Sequence, residues 1–409
     1  MPRIAAPAAQ ALRWLALAHL RAGWAAGRVD LELPSGQWAR IGGTDRADAS
    51  ARVHDDRVFL RLLLRGELGL GEAFVAGEWS SGDLVGLVRA FLRASRARGF
   101  ESPLTRLAQL PALARHRRAA NSVGGSERNV HAHYDLGNDF YRLFLDEDTL
   151  AYSCAWWRSA GPAEGGEDRA PAHTLAEAQR AKLDRLCDWL ALSPRDHLLE
   201  IGCGWGGMAI HAATTRGCRV TAITVSREQH RLAAERVAAA GLADRVSVQY
   251  RDYRGALGTF DKVVSIEMLE AVGYEYLPAY FAACAQALAP GGRFALQTIT
   301  MPDERFEAYR RGVDWMQTYV FPGSLIPSLG AIERAAAAAG FTIERADDIG
   351  ADYAPTLRAW RERFTAALPR VRALGFDEPF IRTWLLYLAF SEAAFAERTL
   401  RNHQLLLVA

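Results

Sequence analysis

The stretch Leu198-Leu199-Glu200-Ile201-Gly202-Cys203-Gly204-Trp205-Gly206-Gly207 limits what this 409-residue chain can fold into more than any other. A short apolar strand there runs into glycines at every second position, so the backbone must turn sharply and enter a helix. Gly202, Gly204 and Gly206 carry no Cβ, and a ligand can come close to the main chain. The surrounding pattern repeats one theme. Helices are predicted over 174–190, 209–215, 227–240 and 277–288, and strands over 197–201, 219–225, 246–250, 261–266 and 294–299. Gly241 stands where a helix cap is expected. Repeated strand–helix units predict an α/β, Rossmann-like domain with a mostly parallel sheet and helices on both faces.

A glycine turn alone does not name its ligand, because nucleotide sites use the same device. Glu200 discriminates. A dinucleotide would bring its pyrophosphate to the turn, where a carboxylate repels it; a ligand with an ammonium and a sulfonium group welcomes one. The spacing E-x-G-x-G-x-G is the pattern of class I S-adenosylmethionine-dependent methyltransferases, and S-adenosylmethionine is preferred here over NAD. Ser226 and Gln229 read as an S-x-x-Q capping box at a helix start, within reach of the cofactor ribose. Asp252 and Tyr253 fall where related methyltransferases contact adenine. The expected cofactor wall is Tyr152, Ser153, Glu200, Gly202, Cys203, Gly204, Gly206, Thr224, Val225, Ser226, Gln229, Asp252, Tyr253, Ile266 and Glu267.

The first third is different in kind. Residues 1–128 hold 19 arginines against 12 acidic residues, net +7, and the remainder is net −5. Such asymmetry points to an anionic partner. A helix is predicted over 12–22, a buried strand over 58–64, loop and short helix over 67–79, and a helix over 83–98. Turns are predicted at Pro34-Ser35-Gly36 and Gly42-Gly43, and a Gly/Ser-rich linker over 121–130. This divides the chain into an N-terminal α+β accessory domain (1–120) and a catalytic domain (131–409). The stretch 159–172 reads as a surface loop. The five cysteines form no C-x-x-C pair, so neither a metal site nor a disulfide framework is expected. No apolar run approaches the ~20 residues needed to cross a bilayer, and Arg13, His19 and Arg21 break the Ala-rich start that could pass for a signal peptide.

Further motifs go beyond this class. His133-Tyr134-Asp135-Leu136-Gly137-Asn138-Asp139-Phe140-Tyr141 precedes Tyr152-Ser153-Cys154-Ala155-Trp156-Trp157. After the glycine turn come Val264-Ser265-Ile266-Glu267-Met268-Leu269-Glu270-Ala271-Val272-Gly273, Phe321-Pro322-Gly323 and Gly350-Ala351-Asp352-Tyr353. In this order they resemble the cyclopropane-fatty-acyl-phospholipid synthase family, mycolic acid cyclopropane synthases included, with motifs nearest those of plant-like members. The resemblance implies transfer of the S-adenosylmethionine methyl group to a cis double bond of a phospholipid acyl chain. A carbocation is then deprotonated by a bound bicarbonate to close a cyclopropane. It implies Cys154 and Ile299 (through backbone groups), Glu270 and Tyr353 as bicarbonate holders. Gln297 stands where the family's histidine would be, and it cannot carry a proton at neutral pH. A weakened base step would leave a methyl-branched or olefinic chain instead.

The implied partner is unsaturated phospholipid at a membrane surface, met through Arg89, Arg93 and Arg96. The implied location is peripheral to the inner membrane face, in the cytoplasm, and a second copy of the chain is an allowed partner. Nucleic acid is not expected, since no asparagine-proline base-flipping tetrad occurs. Methylation of a small soluble amine and a lipid binder without catalysis are the competing readings. Cys154, Tyr134, Phe140, Tyr141, Trp156 and Trp157 could be plain core instead, and Trp384 and its neighbours read as helix core rather than ligand contacts.

Overall fold

Short strands separated by turns follow the first helix, and they pair with one another. In this computed structural model, which describes residues 6–43, 46–95, 110–116, 136–157 and 174–409, β1 (Arg28–Glu32) and β2 (Trp38–Gly42) form an antiparallel hairpin around the Pro34-Ser35-Gly36 turn. β3 (Ala49–Val53) joins β1 in parallel, and β4 (Trp79–Ser80) pairs antiparallel with β3, giving the order β2-β1-β3-β4. The helices Ala6–Gly23, Arg57–Val75 and Leu84–Ser95 accompany this sheet.

The strand expected over 58–64 is part of a helix. Val58, Phe59 and Leu62 are buried at helical spacing, and a short apolar run does not by its length distinguish a strand from a buried helical face. The same helix runs to Val75 through most of the loop and short helix expected over 67–79, with an interruption at Gly66 (φ +57°, ψ −131°), a conformation glycine adopts readily.

The chain divides into two compact units that do not follow the contiguous boundaries expected from the sequence. Residues 1–118, 311–322 and 368–399 form the first; 119–310, 323–367 and 400–409 form the second. The helix Glu378–Ala396 therefore belongs to the first unit, although it lies inside the expected catalytic domain. Its Arg382 lies over the Phe74 ring at 4.3 Å and donates to the Trp79 carbonyl at 2.9 Å. Glu397, just beyond it, accepts from Arg89 at 2.8 Å, and Arg93 faces Asp48 at 3.7 Å. Two of the three arginines expected to meet lipid are thus paired with acids of their own unit. Arg96, the linker 121–130 and the stretch 159–172 lie outside the described residues, as do His133, Tyr134 and Asp135.

The second unit holds the expected sheet. β5 (His197–Ile201), β6 (Arg219–Thr224), β7 (Val246–Tyr250), β8 (Phe260–Ile266) and β9 (Leu288–Thr300) run parallel. β10 (Thr342–Asp348) and β11 (Arg401–Val408) complete seven strands in the order β10-β11-β9-β8-β5-β6-β7. β11 lies antiparallel between β9 and β10. Apolar clusters cover both faces. One centres on Phe281, Phe294, Ile332 and Phe341, the other on Leu186, Leu198, Ala212 and Val264. No helix among the described residues is long and apolar enough to cross a membrane.

Candidate active site

In a parallel sheet the carboxyl ends of neighbouring strands open onto one crevice. β6, β5, β8 and β9 are consecutive here, so Thr224, the turn after Ile201, the segment after Ile266 and Ile299 lie side by side. Gly202, Gly204 and Gly206 all adopt positive φ, between +52° and +83°. A Cβ on Gly202 would collide with Met268, because the segment after β8 packs over the turn. A Cβ on Gly204 would meet nothing within 4 Å, so the protein leaves that space open.

Glu200 is buried below this turn, and its Oε2 finds no hydrogen-bond partner among the described residues. Burial lifts its carboxyl to about 8, which the nearby Lys182 only partly offsets. A buried acceptor without a donor is costly unless a ligand supplies one, and an ammonium group is such a donor. On these grounds the residues fit the S-adenosylmethionine expected from the sequence. Lys182 donates to Ser153 Oγ at 2.7 Å, and burial brings its ammonium down to about 8.

Ser226 caps its helix by accepting from the Gln229 amide at 3.3 Å. The reciprocal half of the expected capping box is absent; Gln229 Oε1 instead accepts from Thr224 Oγ1 at 2.8 Å. Val225 joins these two residues at the strand's end. Asp252 is taken up by Arg254 at 2.6 Å, and Tyr253 turns inward against Tyr280, with ring centres 5.2 Å apart. Tyr152 sits among Tyr141, Phe144 and Trp360, and Tyr141 also meets Trp205 at 4.9 Å. Aromatic side chains from four separate stretches of sequence thus form one wall.

The expected bicarbonate holders converge elsewhere than expected. The Cys154 N–H donates to Glu267 Oε1 at 2.9 Å, and Gln297 Nε2 donates to the same oxygen at 2.9 Å. Asn402 Nδ2 donates to it at 2.6 Å, and the Tyr353 hydroxyl donates to Oε2 at 2.6 Å. The Ile299 N–H and the Thr298 hydroxyl go to Glu270 Oε1, at 2.5 and 3.0 Å. A free bicarbonate does not fit these residues, because two carboxylates of the chain already occupy the donors it would need. Glu267 is therefore the centre of the cage, where the sequence placed it on the cofactor wall.

Burial first, and the neighbouring Glu267 charge second, push the Glu270 carboxyl up, while its Oε2 has no partner among the described residues. The Cys154 thiol is fully buried and pushed well up by burial and then by Glu267, so it stays protonated. Lys182, Asn402, Gln404 and Thr298 were not singled out in the sequence. One signal was available for Lys182: almost every basic residue of this chain is arginine, and Lys182 and Lys262 are the only lysines. Lysine, unlike arginine, can give up its charge when buried.

Comparison with known proteins gives the family. The family model described as mycolic acid cyclopropane synthetase matches residues 122–405. Tuberculostearic acid methyltransferase of Mycobacterium tuberculosis is 42% identical over 385 residues, covering 93% of this chain and 88% of that protein. Cyclopropane-fatty-acyl-phospholipid synthase of Escherichia coli is 35% identical over 385 residues, covering 92% of each. The solved structure of a mycolic acid cyclopropane synthase complexed with SAH and CTAB matches with a TM-score of 0.61 at 31% identity. That match covers 69% of this chain and 98% of the solved one. The chain belongs to the mycolic acid cyclopropane synthetase family and is an S-adenosylmethionine-dependent methyltransferase of the cyclopropane-fatty-acyl-phospholipid synthase kind.

Proposed function

We propose that the protein adds one carbon from S-adenosylmethionine to a cis double bond of an unsaturated phospholipid acyl chain at a membrane surface, and closes a cyclopropane. The observation that carries this reading is the pair of half-buried, hydrogen-bonded glutamates, Glu267 and Glu270, beside a turn whose own buried Glu200 has an oxygen unmatched among the described residues. The cofactor, when bound, supplies an electrophilic methyl group on a sulfonium. Glu200 Oε2 accepts its ammonium group, and the open space at Gly204 lets it approach the main chain. Glu267 and Glu270 face the positive charge that develops on the acyl chain, where a fixed carboxylate stabilises it strongly in a low-dielectric site. The rings of Tyr141, Tyr152 and Trp360 keep water away, which would otherwise trap the cation as an alcohol.

A second reading is methyl transfer without ring closure. It draws support from Gln297, which stands where a histidine was expected, and from the relative named as a tuberculostearic acid methyltransferase. Mass spectrometry of fatty acids from a host fed methyl-deuterated methionine separates the two. Two deuterium atoms retained per added carbon supports loss of one proton, and proton NMR then distinguishes a ring from a methylene branch. Three retained supports plain methyl transfer. Label on a soluble amine and none on lipid would overturn both readings.

A further inference from the structure

We propose that Glu267 is a built-in base that removes the proton from the alkylated acyl chain, so that the reaction needs no captured bicarbonate. The inference rests on the acyl-chain reading above and extends it to the base.

Four donors from four parts of the second unit meet one carboxylate: Cys154 N–H, Gln297 Nε2, Asn402 Nδ2 and the Tyr353 hydroxyl. Three of them, those of Cys154, Gln297 and Tyr353, are groups expected to hold a bicarbonate. Bicarbonate and a glutamate side chain present the same planar pair of oxygens, and here the chain supplies its own.

The polarity of this cage is fixed by a chain of hydrogen bonds that begins at an arginine. Arg185 can only donate, and it donates to Gln404 Oε1 at 2.6 Å. Gln404 must then donate through Nε2, which it does to Gln297 Oε1 at 2.9 Å. Gln297 in turn presents Nε2 to Glu267 at 2.9 Å. Glutamine at position 297 is therefore not a defective histidine. It orients a carboxylate that already carries the base function. Glu270 completes the division of labour. Burial first and the neighbouring Glu267 second push its carboxyl up, and Glu270 Oε1 takes the Ile299 N–H and the Thr298 hydroxyl, so it does not compete for the four donors that meet on Glu267.

The step balances within the site. Once the methyl carbon is bonded to one former alkene carbon, its neighbour is electron-deficient. A C–H bond of the delivered methyl breaks, and its proton passes to Glu267. The C–H electron pair forms the third C–C bond of the ring. The glutamic acid so formed loses its proton to water after the product leaves.

The backbone provides a favourable test. Glu267 adopts φ +49°, a region that glycine enters freely, so the backbone accepts Glu267→Gly while the lost carboxylate opens the cage and frees its four donors for an added anion. Full-length protein is assayed with labelled S-adenosylmethionine and vesicles of cis-unsaturated phosphatidylglycerol, in buffer stripped of carbon dioxide and in buffer with added bicarbonate. Wild type is expected to turn over equally in both. Glu267→Gln should bind SAH as wild type does and lose at least 100-fold in product. Glu267→Gly should lose as much in stripped buffer and recover at least tenfold on adding bicarbonate, more so when combined with Gln297→His. A wild type that needs bicarbonate, or a Glu267→Gln variant that keeps its rate, would overturn the proposal. A wild type that labels no acyl chain in either buffer would overturn the acyl-chain reading itself, and the base assignment with it.

Discussion

A carboxyl with a pKa of about 8 is protonated at neutral pH, and burial raises Glu200 to that value with one oxygen left unmatched. An ammonium ligand needs the ionised form, so binding must expel the proton. The sign follows: below about 8 each unit of rising pH tightens binding about tenfold, and above it the gain stops. Calorimetry of SAH binding in buffers of different ionisation heat should record close to one proton released at pH 6.5. Glu200→Gln should bind weakly and lose the pH slope. Lys182 titrates in the same range, so the slope should survive Lys182→Gln if it belongs to Glu200. A wild-type affinity that is flat from pH 6 to 8 would remove Glu200 from the ammonium site.

At the scale of the element, the strand–turn–helix from β5 into the helix Gly207–Arg216 separates binding from stability at two glycines. Gly204 has φ +52° and open space around it. Alanine there costs about 1 kcal/mol of backbone strain and intrudes on the ligand, so Gly204→Ala should stay folded and lose at least tenfold in SAH affinity. A Cβ on Gly207 would stand 2.3 Å from the Thr149 carbonyl, which is backbone and cannot swing aside. Gly207→Ala should cost roughly 1–3 kcal/mol and lower the melting temperature more than Gly204→Ala does. Equal losses of melting temperature would refute this division. The glycine turn was legible by its spacing, β5, β6, β8 and β9 as apolar-rich runs bounded by turn residues, and β7 by the alternation of Val246, Val248 and Tyr250 with polar residues. β10 was not: Thr342–Asp348 is mostly polar and lies at a sheet edge with alternate residues exposed. Asn402 and Gln404 were illegible for another reason. They reach Glu267 and Gln297 only because β11 folds back antiparallel beside β9, which no local spacing announces. Glu267 was visible as a residue, but the sequence could not show that four donors meet on it.

At the scale of the whole molecule, charge and apolar exposure both distinguish the two units. The first holds 23 arginines against 16 acidic residues, and the second 26 basic against 31 acidic. Among the described residues, every large apolar side chain that stands exposed belongs to the first unit, except Tyr250. Trp14 is 68% exposed and Trp38 62%, where water gives their rings no compensation. Tryptophan favours the level of lipid headgroups, and arginines beside an anionic surface add about 1 kcal/mol each. Several arginines are spent on internal pairs, Arg89 and Arg93 among them, so the membrane docking proposed above would rest largely on apolar insertion. Vesicle flotation should show binding to phosphatidylglycerol that weakens, without vanishing, between 0.05 and 0.5 M salt, because screening removes the charge contribution and leaves the rings. Trp14→Ser with Trp38→Ser should weaken it by roughly tenfold or more, with SAH binding unchanged. Retention of wild-type flotation by the double variant would mean that the first unit meets lipid through other residues. Loss of all flotation in salt would mean that arginines, not tryptophans, hold the protein at the surface.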